Sequence, residues 1–400
     1  MQQGDQVNPG RTSSSAARTK RPRPLDCARG IGIEEQQMTV EDLMQMMAAI
    51  RFEHRWLAED FVAESLRLGE QERGKEHHYV PRMYLKRWAV DKKVQPVLVD
   101  RRQVSPPQRP KEVAKKTNLY SLPAPDSTMD QPLRWIEKHL SRIEDECADR
   151  LDQLACREHG LVVDDELKRD MSVFLGLQVT RTVSNRERSL LLINGPIGAK
   201  REFYRRMGVS EAAFDAMLAN TYTDPKTEAI NLMFADIRNT VAGSLYRREW
   251  AVYRTSEPIV TCDDPVVFVA GPPGTRDVTI GALFSAAVLY PLSPEHLLVM
   301  LRPDLRHNEP YLLNQDETRS ANHEIVAAAA STAFERPGDD IAVHLEVPVR
   351  AQAAELDDDQ VAQLDDVTAL RLLLERVTPR SRWAGVPDAP GWPVPRWYTG

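Results

Sequence analysis

Hydrophobic residues at helical spacing dominate the middle of the chain. Apolar side chains recur every three or four positions across 136–154, a pattern that predicts a helix of about five turns. A second helix is predicted from Leu167 to about Arg188, with Met171 and Phe174 on its buried face. Pro225 is suited to open a further helix that runs to about Arg247. Residues 130–247 are therefore expected to form a helical lobe.

The pattern changes to short apolar runs at Trp250. Between about 250 and 302 these runs are separated by Gly, Pro and Asp turns, which predicts a strand-rich segment. Further strands are predicted at Val94–Val99 and Ile341–Val347, and an Ala-rich helix at Asn314–Ala333. Helices that bracket such a segment favour an α+β fold, mainly helical, with a helical lobe packed on a small, mostly antiparallel sheet lobe.

The two ends of the chain differ from its middle in composition. Residues 1–33 are rich in Ser, Arg, Pro and Gly and are predicted to be a disordered basic arm. Residues 34–380 are predicted to form a single α+β domain. The Pro- and Trp-rich residues 381–400 are expected to be an extended tail that packs on the surface.

Composition and charge narrow the class of protein. A hydrophobic content of 42% with 28% charged residues is typical of globular proteins with a sizeable core. The net charge of -7 argues against a protein that coats nucleic acid nonspecifically, although a local basic groove stays possible. No run of about 18 apolar residues and no apolar leader occurs, so we expect a cytoplasmic protein without a membrane anchor. The four cysteines have no paired spacing, which is typical of free thiols in a reducing compartment.

Adjacent histidines provide the first candidate chemistry. His77 and His78 precede Tyr79 and a proline, Pro81, that can begin a helix. A loop entering that helix can aim both imidazoles at one site, where one could transfer protons and the other bind or orient a phosphate. Alternatively, the ring nitrogens only satisfy backbone groups in the approach to the helix.

Charged and amide residues on the two long predicted helices provide the second set of candidate site residues. Glu137 and Glu144 are two turns apart and lie on one helix face, about 10 Å from each other. Gln178, Arg181 and Asn185 share a face of the next predicted helix. If the two faces meet, a Glu–Arg pair can be structural or can shape an anion pocket. A solvated charged face is the alternative for the glutamates.

Two acidic residues before a proline provide the third set of candidate site residues. Asp263 and Asp264 follow an apolar run and precede Pro265, which places two carboxylates at the end of a predicted strand. There they can act in catalysis or bind a metal ion, or they can simply form the turn. The histidines show no zinc-binding spacing, and neither a phosphate-binding loop nor a dinucleotide motif occurs. We therefore predict no metal site, and the sequence leaves any cofactor unknown.

Several of these segments, taken in order, resemble the bacterial family called domain of unknown function 4238. The resemblance spans about 75–335 and is carried by the following segments: His77-His-Tyr-Val-Pro81, Tyr84-Leu85, Trp88, Val99-Asp100-Arg101, Ile136-Glu137, Ile143-Glu144, Gln178, Arg181-Thr182, Ile259–Pro265 and Tyr290-Pro-Leu-Ser293. The usual Ser-Asp-Asn-Pro turn of that family reads Cys262-Asp263-Asp264-Pro265 here. The resemblance implies that these polar residues are grouped in a single site, and it implies no particular activity.

The sequence leads to one functional hypothesis and one rival. The hypothesis is an intracellular hydrolase that cleaves a phosphodiester in a nucleic acid or nucleotide. Its predicted catalytic residues are His77, His78, Glu144 and Asp264, and its predicted substrate-binding residues are Arg181, Gln178 and Tyr79. The rival is a non-catalytic interaction or regulatory protein in which the same polar residues form a buried network. A small-molecule or nucleic-acid substrate is compatible with the hypothesis, and the oligomeric state is left unknown.

Overall fold

The computed structural model describes residues 50–398, except for 71, 73, 123–133, 157, 220–223, 278, 352–362, 379 and 388. The described residues belong to one compact unit, Gln37–Gly400. The predicted basic arm, residues 1–33, lies outside the described residues.

Helices form most of the regular structure between 135 and 246, as the spacing of apolar residues predicts. The α-helices of the described residues are α1 (Glu59–Gly69), α2 (Arg82–Leu85), α3 (Trp135–Cys156), α4 (Asp165–Thr180), α5 (Val183–Ile193), α6 (Ile197–Arg206), α7 (Glu211–Ala219), α8 (Pro225–Asp236), α9 (Ala242–Tyr246), α10 (Gln315–Ala328), α11 (Ile341–His344) and α12 (Asp366–Val377). A π-helix, Ile237–Val241, joins α8 to α9. Short 3-10 turns lie at Arg55–Leu57, Lys86–Trp88 and Pro395–Trp397.

The strands form antiparallel sheets with one parallel edge. They are β1 (Glu76–His78), β2 (Gln95–Leu98), β3 (Gln103–Val104), β4 (Lys115–Thr117), β5 (Gly160–Leu161), β6 (Glu249–Thr255), β7 (Thr261–Cys262), β8 (Val267–Val269), β9 (Ala287–Ser293), β10 (His296–Leu301), β11 (Leu312–Leu313) and β12 (Thr332–Glu335). The strand order is β11-β6-β10-β9-β8 in one sheet, with β5 also on β6, and β3-β2-β12-β7 in another. β1 pairs with β4 alone, and β11 runs parallel to β6. The predicted α+β class is confirmed.

Local sequence signals account for the start of several helices. Asp164 caps α4 by accepting a hydrogen bond from the Leu167 amide at 3.0 Å. Asn314 and Glu317 form a capping box at the start of α10. The apolar stripe of α3 is buried along its whole length, from Ile136 to Leu154. It packs into a core that also receives one face of the long sheet.

The predicted extent of the second helix is wrong, because the helix is interrupted at Arg181 and Thr182. Arg181 ends α4, and the side chain of Thr182 begins α5 by accepting a hydrogen bond from the Asn185 amide at 3.3 Å. Helical periodicity continues across the break, so the hydrophobic pattern alone does not reveal it. Gln178 and Asn185 consequently lie on different helices instead of on one shared face.

The strand predicted at Ile341–Val347 is also wrong. Residues Ile341–His344 form the short helix α11 instead. The buried carboxylate of Glu335 accepts hydrogen bonds from the amides of Ile341 and Ala342, both at 2.9 Å, and so satisfies the start of the helix. The Glu335 side chain, six residues before Ile341, thus favours a helix where the β-branched residues predict a strand.

The C-terminal segment is anchored by buried side chains. Trp397 is fully buried, and its indole N–H donates to the Tyr253 hydroxyl at 3.0 Å. The Arg382 guanidinium is also buried and donates to Asp100 and to the Ala329 carbonyl. These contacts bring the segment around Trp383 to the site described below. In the part of the chain that the structure describes, no helix is both long and apolar enough to cross a membrane.

Candidate functional site

The two histidines lie on a short strand instead of in a loop. His77 and His78 end β1, which pairs with β4 in the register His77–Lys116 and His78–Lys115. Successive side chains of a strand point to opposite faces. The two imidazoles therefore do not converge on one point, and each has its own surroundings.

His77 is part of the buried framework. Its ring is fully buried and lies parallel to the Tyr120 ring, with centroids 5.6 Å apart. Nδ1 accepts a hydrogen bond from the Tyr120 amide at 2.9 Å. Burial lowers the pKa of His77, so the neutral ring is favoured. These contacts match the alternative in which an imidazole satisfies a backbone group.

His78 is partly buried and also contacts the backbone. Its Nε2 lies 3.2 Å from the Lys111 carbonyl, which a ring N–H can reach as a donor. Burial lowers the pKa of His78 to about 4, and the ring is neutral at neutral pH. The His78 carbonyl accepts a hydrogen bond from Nη2 of Arg181.

Arg181 joins the predicted site residues into a buried network. Its guanidinium is 1% exposed, and Nη1 donates to Oε1 of Glu144 at 2.5 Å. The backbone carbonyl of Arg181 accepts a hydrogen bond from the Tyr120 hydroxyl at 2.6 Å. Strand β1, helix α3 and the end of α4 are thereby tied together.

Two carboxylates balance the charge of Arg181. Burial works against the charged guanidinium, but the fields of Glu144 and Glu137 keep the pKa of Arg181 above its ordinary value. Burial raises the pKa of Glu137 to about 7, although Arg181 acts in the opposite direction. An arginine so paired contributes little free positive charge. The network explains the fold better than it explains the capture of an anion.

Asp263 and Asp264 have different environments in the turn after β7. Asp263 is buried and accepts hydrogen bonds from the amides of Ala330, Ser331 and Thr332 and from the Ser331 hydroxyl, at 2.7 to 3.0 Å. These bonds fix the turn to the start of β12. Burial and the neighbouring Asp264 raise the pKa of Asp263 to about 6. Asp263 is therefore a structural carboxylate.

Asp264 is the accessible carboxylate of the pair. It is partly buried, and its Oδ2 accepts a hydrogen bond from the Ser184 hydroxyl at 2.6 Å. Ser184 lies in the first turn of α5, directly after the break at Arg181 and Thr182. The end of α4 therefore determines where Ser184 meets Asp264.

A cavity of about 430 Å³ lies against Asp264. We call it the polar cavity. Its wall contains polar, charged and aromatic side chains: Gln178, Asn185, Arg188, Asp236, Asp264, Phe268, Glu324, Arg350, Arg380 and Trp383. The volume lies within the range of small-molecule sites, about 300–1,000 Å³.

Arg188 and Arg350 are two of the three arginines that line the polar cavity, whose wall also contains the carboxylates of Asp236, Asp264 and Glu324. Nη2 of Arg188 donates to Oδ1 of Asn185 at 3.1 Å, and Nη2 of Arg350 donates to the Ala328 and Ala329 carbonyls at the end of α10. Burial lowers the pKa of each guanidinium, while Asp264 favours its charged form. Arginine retains its charge at neutral pH despite such shifts.

A second space, which we call the lysine pocket, also lies against Asp264. Its volume is about 350 Å³, and its wall includes Tyr79, Lys115, Lys116, Ser184 and Asp264. Lys116 also lies 3.4 Å from Glu187, and Lys115 lies 3.4 Å from Glu76. Asp264 lines both spaces. Burial and the two aspartates raise the pKa of Tyr79, whose phenol stays neutral.

The structure thus divides the seven predicted site residues into two groups. His77, His78, Glu144 and Arg181 belong to the buried framework. Gln178, Tyr79 and Asp264 line the two spaces. Within the described residues, no cluster of three or more His, Cys, Asp or Glu side chains is arranged to hold a metal ion.

Sequence reasoning missed Arg188, Arg350 and Trp383. Arg188 carried a usable signal, since it lies one helical turn after Ser184 and three residues after Asn185. Arg350 and Trp383 follow the strand-rich segment by many residues, and no motif marks them. Only tertiary packing brings them to Asp264.

The fold and the site define an α+β protein with a helical lobe and a ligand-sized polar cavity against Asp264. The chain belongs to the family described as Protein of unknown function (DUF4238), whose model matches residues 76–339. The match includes all seven predicted site residues, whereas Arg350 and Trp383 follow it. No curated protein and no solved structure matches the chain.

Proposed function

We propose that the protein is a hydrolase that cleaves a phosphate ester in a nucleotide or nucleic acid at Asp264. The observation that supports this proposal is the position of Asp264, which lines both the polar cavity and the lysine pocket. Arg188 and Arg350 line the polar cavity, and Lys115 lines the lysine pocket. Positive side chains in the two spaces next to a carboxylate suit a phosphate ester, because they can bind the oxygens of its phosphate group.

Asp264 is the proposed general base. The Ser184 hydroxyl binds Oδ2 and orients the carboxylate, so that Oδ1 can take a proton from water. The water oxygen then forms a bond to phosphorus while the bond from phosphorus to the leaving oxygen breaks. The leaving oxygen takes a proton from solvent, and Asp264 returns its own proton to solvent, which balances the step.

Arg188 and Arg350 are the proposed anion-binding residues. Nε of Arg350 is buried and has no hydrogen-bond partner among the described residues, so its N–H group is available to a ligand. A guanidinium carries five N–H donors, of which the contacts of these two arginines use few. Such donors stabilise the negative charge that develops on the phosphoryl oxygens.

The proposal moves proton transfer from the histidines to the aspartate. Nδ1 of His77 is occupied by the Tyr120 amide, and His78 contacts the Lys111 carbonyl. Because neither ring lines the polar cavity or the lysine pocket, a direct role in the reaction is less well supported than a framework role.

A non-catalytic regulatory protein is the second candidate. The observation that favours it is the buried network of His77, Tyr120, Arg181 and Glu144, which is what a structural role for these residues requires. In this alternative the polar cavity binds a ligand without turnover.

Asp264→Asn tests the proposal. The amide oxygen can still accept the Ser184 hydrogen bond. We expect hydrolysis of bis(p-nitrophenyl) phosphate, RNA, single-stranded DNA or nucleotides to fall about 10²–10⁴-fold, with little change in melting temperature. Asp316→Asn, at an exposed aspartate of α10, is the matched control and should be fully active.

Two outcomes would contradict the proposal. Wild-type protein that turns over none of these substrates would exclude the proposed phosphodiester activity and leave the regulatory candidate. An Asp264→Asn variant as active as wild type would show that this carboxylate is not the base.

A further inference from the structure

We infer that the polar cavity binds a nucleobase, whose edge hydrogen-bonds to the side-chain amide of Gln178. This inference deepens the proposed function and rests on it for the identity of the phosphate ester. Its own support comes from Gln178 and from the aromatic wall of the same cavity.

Gln178 has an unusual environment for an amide. It lies on α4, lines the polar cavity, and is only 1% exposed. Neither its Oε1 nor its Nε2 has a hydrogen-bond partner among the described residues. A buried amide without partners destabilises a fold, so its retention at a cavity wall is explained if a ligand completes both hydrogen bonds.

The chemistry of an amide specifies the ligand. Gln178 offers one acceptor and a neighbouring donor, which match a group that presents a donor beside an acceptor. Nucleobase edges have this arrangement, and glutamine pairs with adenine in this bidentate way. A phosphodiester group has no donor to offer at neutral pH and cannot satisfy both atoms.

Aromatic rings in the same wall suit a flat ligand. Phe268 and Trp383 both line the polar cavity. The indole Nε1 of Trp383 is buried and is another donor without a partner among the described residues. Base stacking on aromatic side chains is a common and sequence-tolerant contribution to nucleotide binding.

The surrounding structure holds Gln178 in place before any ligand arrives. Arg181, one turn further along the chain, anchors the end of α4 to Glu144 and to the His78 carbonyl. Thr240 from the π-helix also lines the cavity. A π-helix inserted between α8 and α9 is a feature that often occurs at functional sites.

The two arginines provide binding groups for the phosphate of a nucleotide. Arg188 and Arg350 line the same cavity as Gln178 and can bind the phosphate while Gln178 binds the base. A ligand with both groups therefore uses the charged and the neutral polar parts of the wall together.

The experiment measures binding of four uncharged nucleosides to the full chain by calorimetry, with inorganic phosphate as a separate probe. We expect wild type to bind at least one nucleoside. Gln178→Met keeps the length of the side chain but removes the amide. It should weaken that binding by about 5- to 150-fold, the range for one bidentate base contact, without lowering the melting temperature.

Gln95→Met is the matched control. Gln95 is also a buried glutamine, but its Nε2 donates to the Ser105 carbonyl and it does not line the polar cavity. We expect this variant to melt at a lower temperature and to bind nucleoside like wild type. The two variants thus separate a ligand-binding amide from a structural one.

Gln178→Glu gives a sharper test of base recognition. A carboxylate only accepts hydrogen bonds, and the edge of guanine offers two adjacent N–H donors. The order of nucleoside affinities should therefore shift in favour of guanosine. An unchanged order would overturn the assignment of Gln178 to the base edge.

Trp383→Leu provides an independent readout if a Gln178 variant does not fold. It should weaken nucleoside binding by about 5- to 150-fold through lost stacking. Trp392→Leu, on the same segment but outside the wall of the polar cavity, should leave binding unchanged.

The results distinguish failure of the inference from failure of the proposed function. Absence of nucleoside binding alongside hydrolysis of bis(p-nitrophenyl) phosphate would overturn the inference and leave the hydrolase. Nucleoside binding that depends on Gln178, without turnover of any substrate, would support the inference and remove the hydrolase. A Gln178→Met variant that binds nucleoside like wild type would overturn the inference in either case.

Discussion

Replacement of Arg181 by methionine tests whether the network around it holds the fold together. Methionine keeps an unbranched apolar side chain but removes the guanidinium. Two hydrogen bonds disappear, one to Oε1 of Glu144 and one to the His78 carbonyl. The carboxylates of Glu144 and Glu137 then remain beside each other without their shared counter-charge.

The expected loss is large because the guanidinium is only 1% exposed. Breaking a buried ion pair by removal of one partner destabilises a protein by about 3–5 kcal/mol. That value is a large part of the total stability of a typical domain, about 5–15 kcal/mol. The exposed pair of Arg67 and Glu64, with side chains 66% and 41% exposed, should contribute far less, because solvent screens it.

Urea unfolding of wild type, Arg181→Met and the control Arg67→Met measures these differences. The double variant Arg181→Met/Glu144→Gln should recover part of the loss, because it removes one stranded charge. If Arg181→Met unfolds within about 0.5 kcal/mol of wild type, the network does not stabilise the fold and the framework assignment is refuted.

Two further predictions concern single groups in the same region. The folded-state pKa of Glu137, about 7, is above the ordinary value of 4.5, so its ionisation destabilises the fold as pH rises between these values. Relative to wild type, Glu137→Gln should therefore gain up to about 3 kcal/mol between pH 4.5 and pH 8 in urea unfolding, and a constant difference would contradict this. His77→Ala should lower the free energy of unfolding by about 1–3 kcal/mol, because the buried Tyr120 amide loses its acceptor. His78→Ala is its control, and an equal loss in both would refute the distinct role of His77.

Much of the fold follows from local patterns in the sequence. The spacing of apolar residues from Ile136 to Leu154 predicts α3 because helix geometry repeats every 3.6 residues. The short apolar runs after Trp250 predict strands because turn residues separate them. The patterns fail where a side chain outside the segment satisfies its backbone, as Glu335, six residues before Ile341, does at the start of α11.

The candidate site was predictable in its parts and not in its arrangement. The sequence indicated Gln178 and Asp264, and both line the polar cavity. It also indicated His77 and His78, which were expected in a loop. Both lie on a strand, where adjacent side chains point to opposite faces, and the spacing of the residues does not show this.

The amino-acid order alone determined the α+β class, the family and the polar residues available for chemistry. Tertiary structure decided which of them are accessible. Arg181 and Asp264 are both charged residues in recognisable segments, yet packing buries Arg181 against Glu144 and leaves Asp264 between two open spaces. It also brings Arg350 and Trp383 to the same cavity. Burial and proximity depend on contacts between residues far apart in the chain, and local sequence carries no record of those contacts.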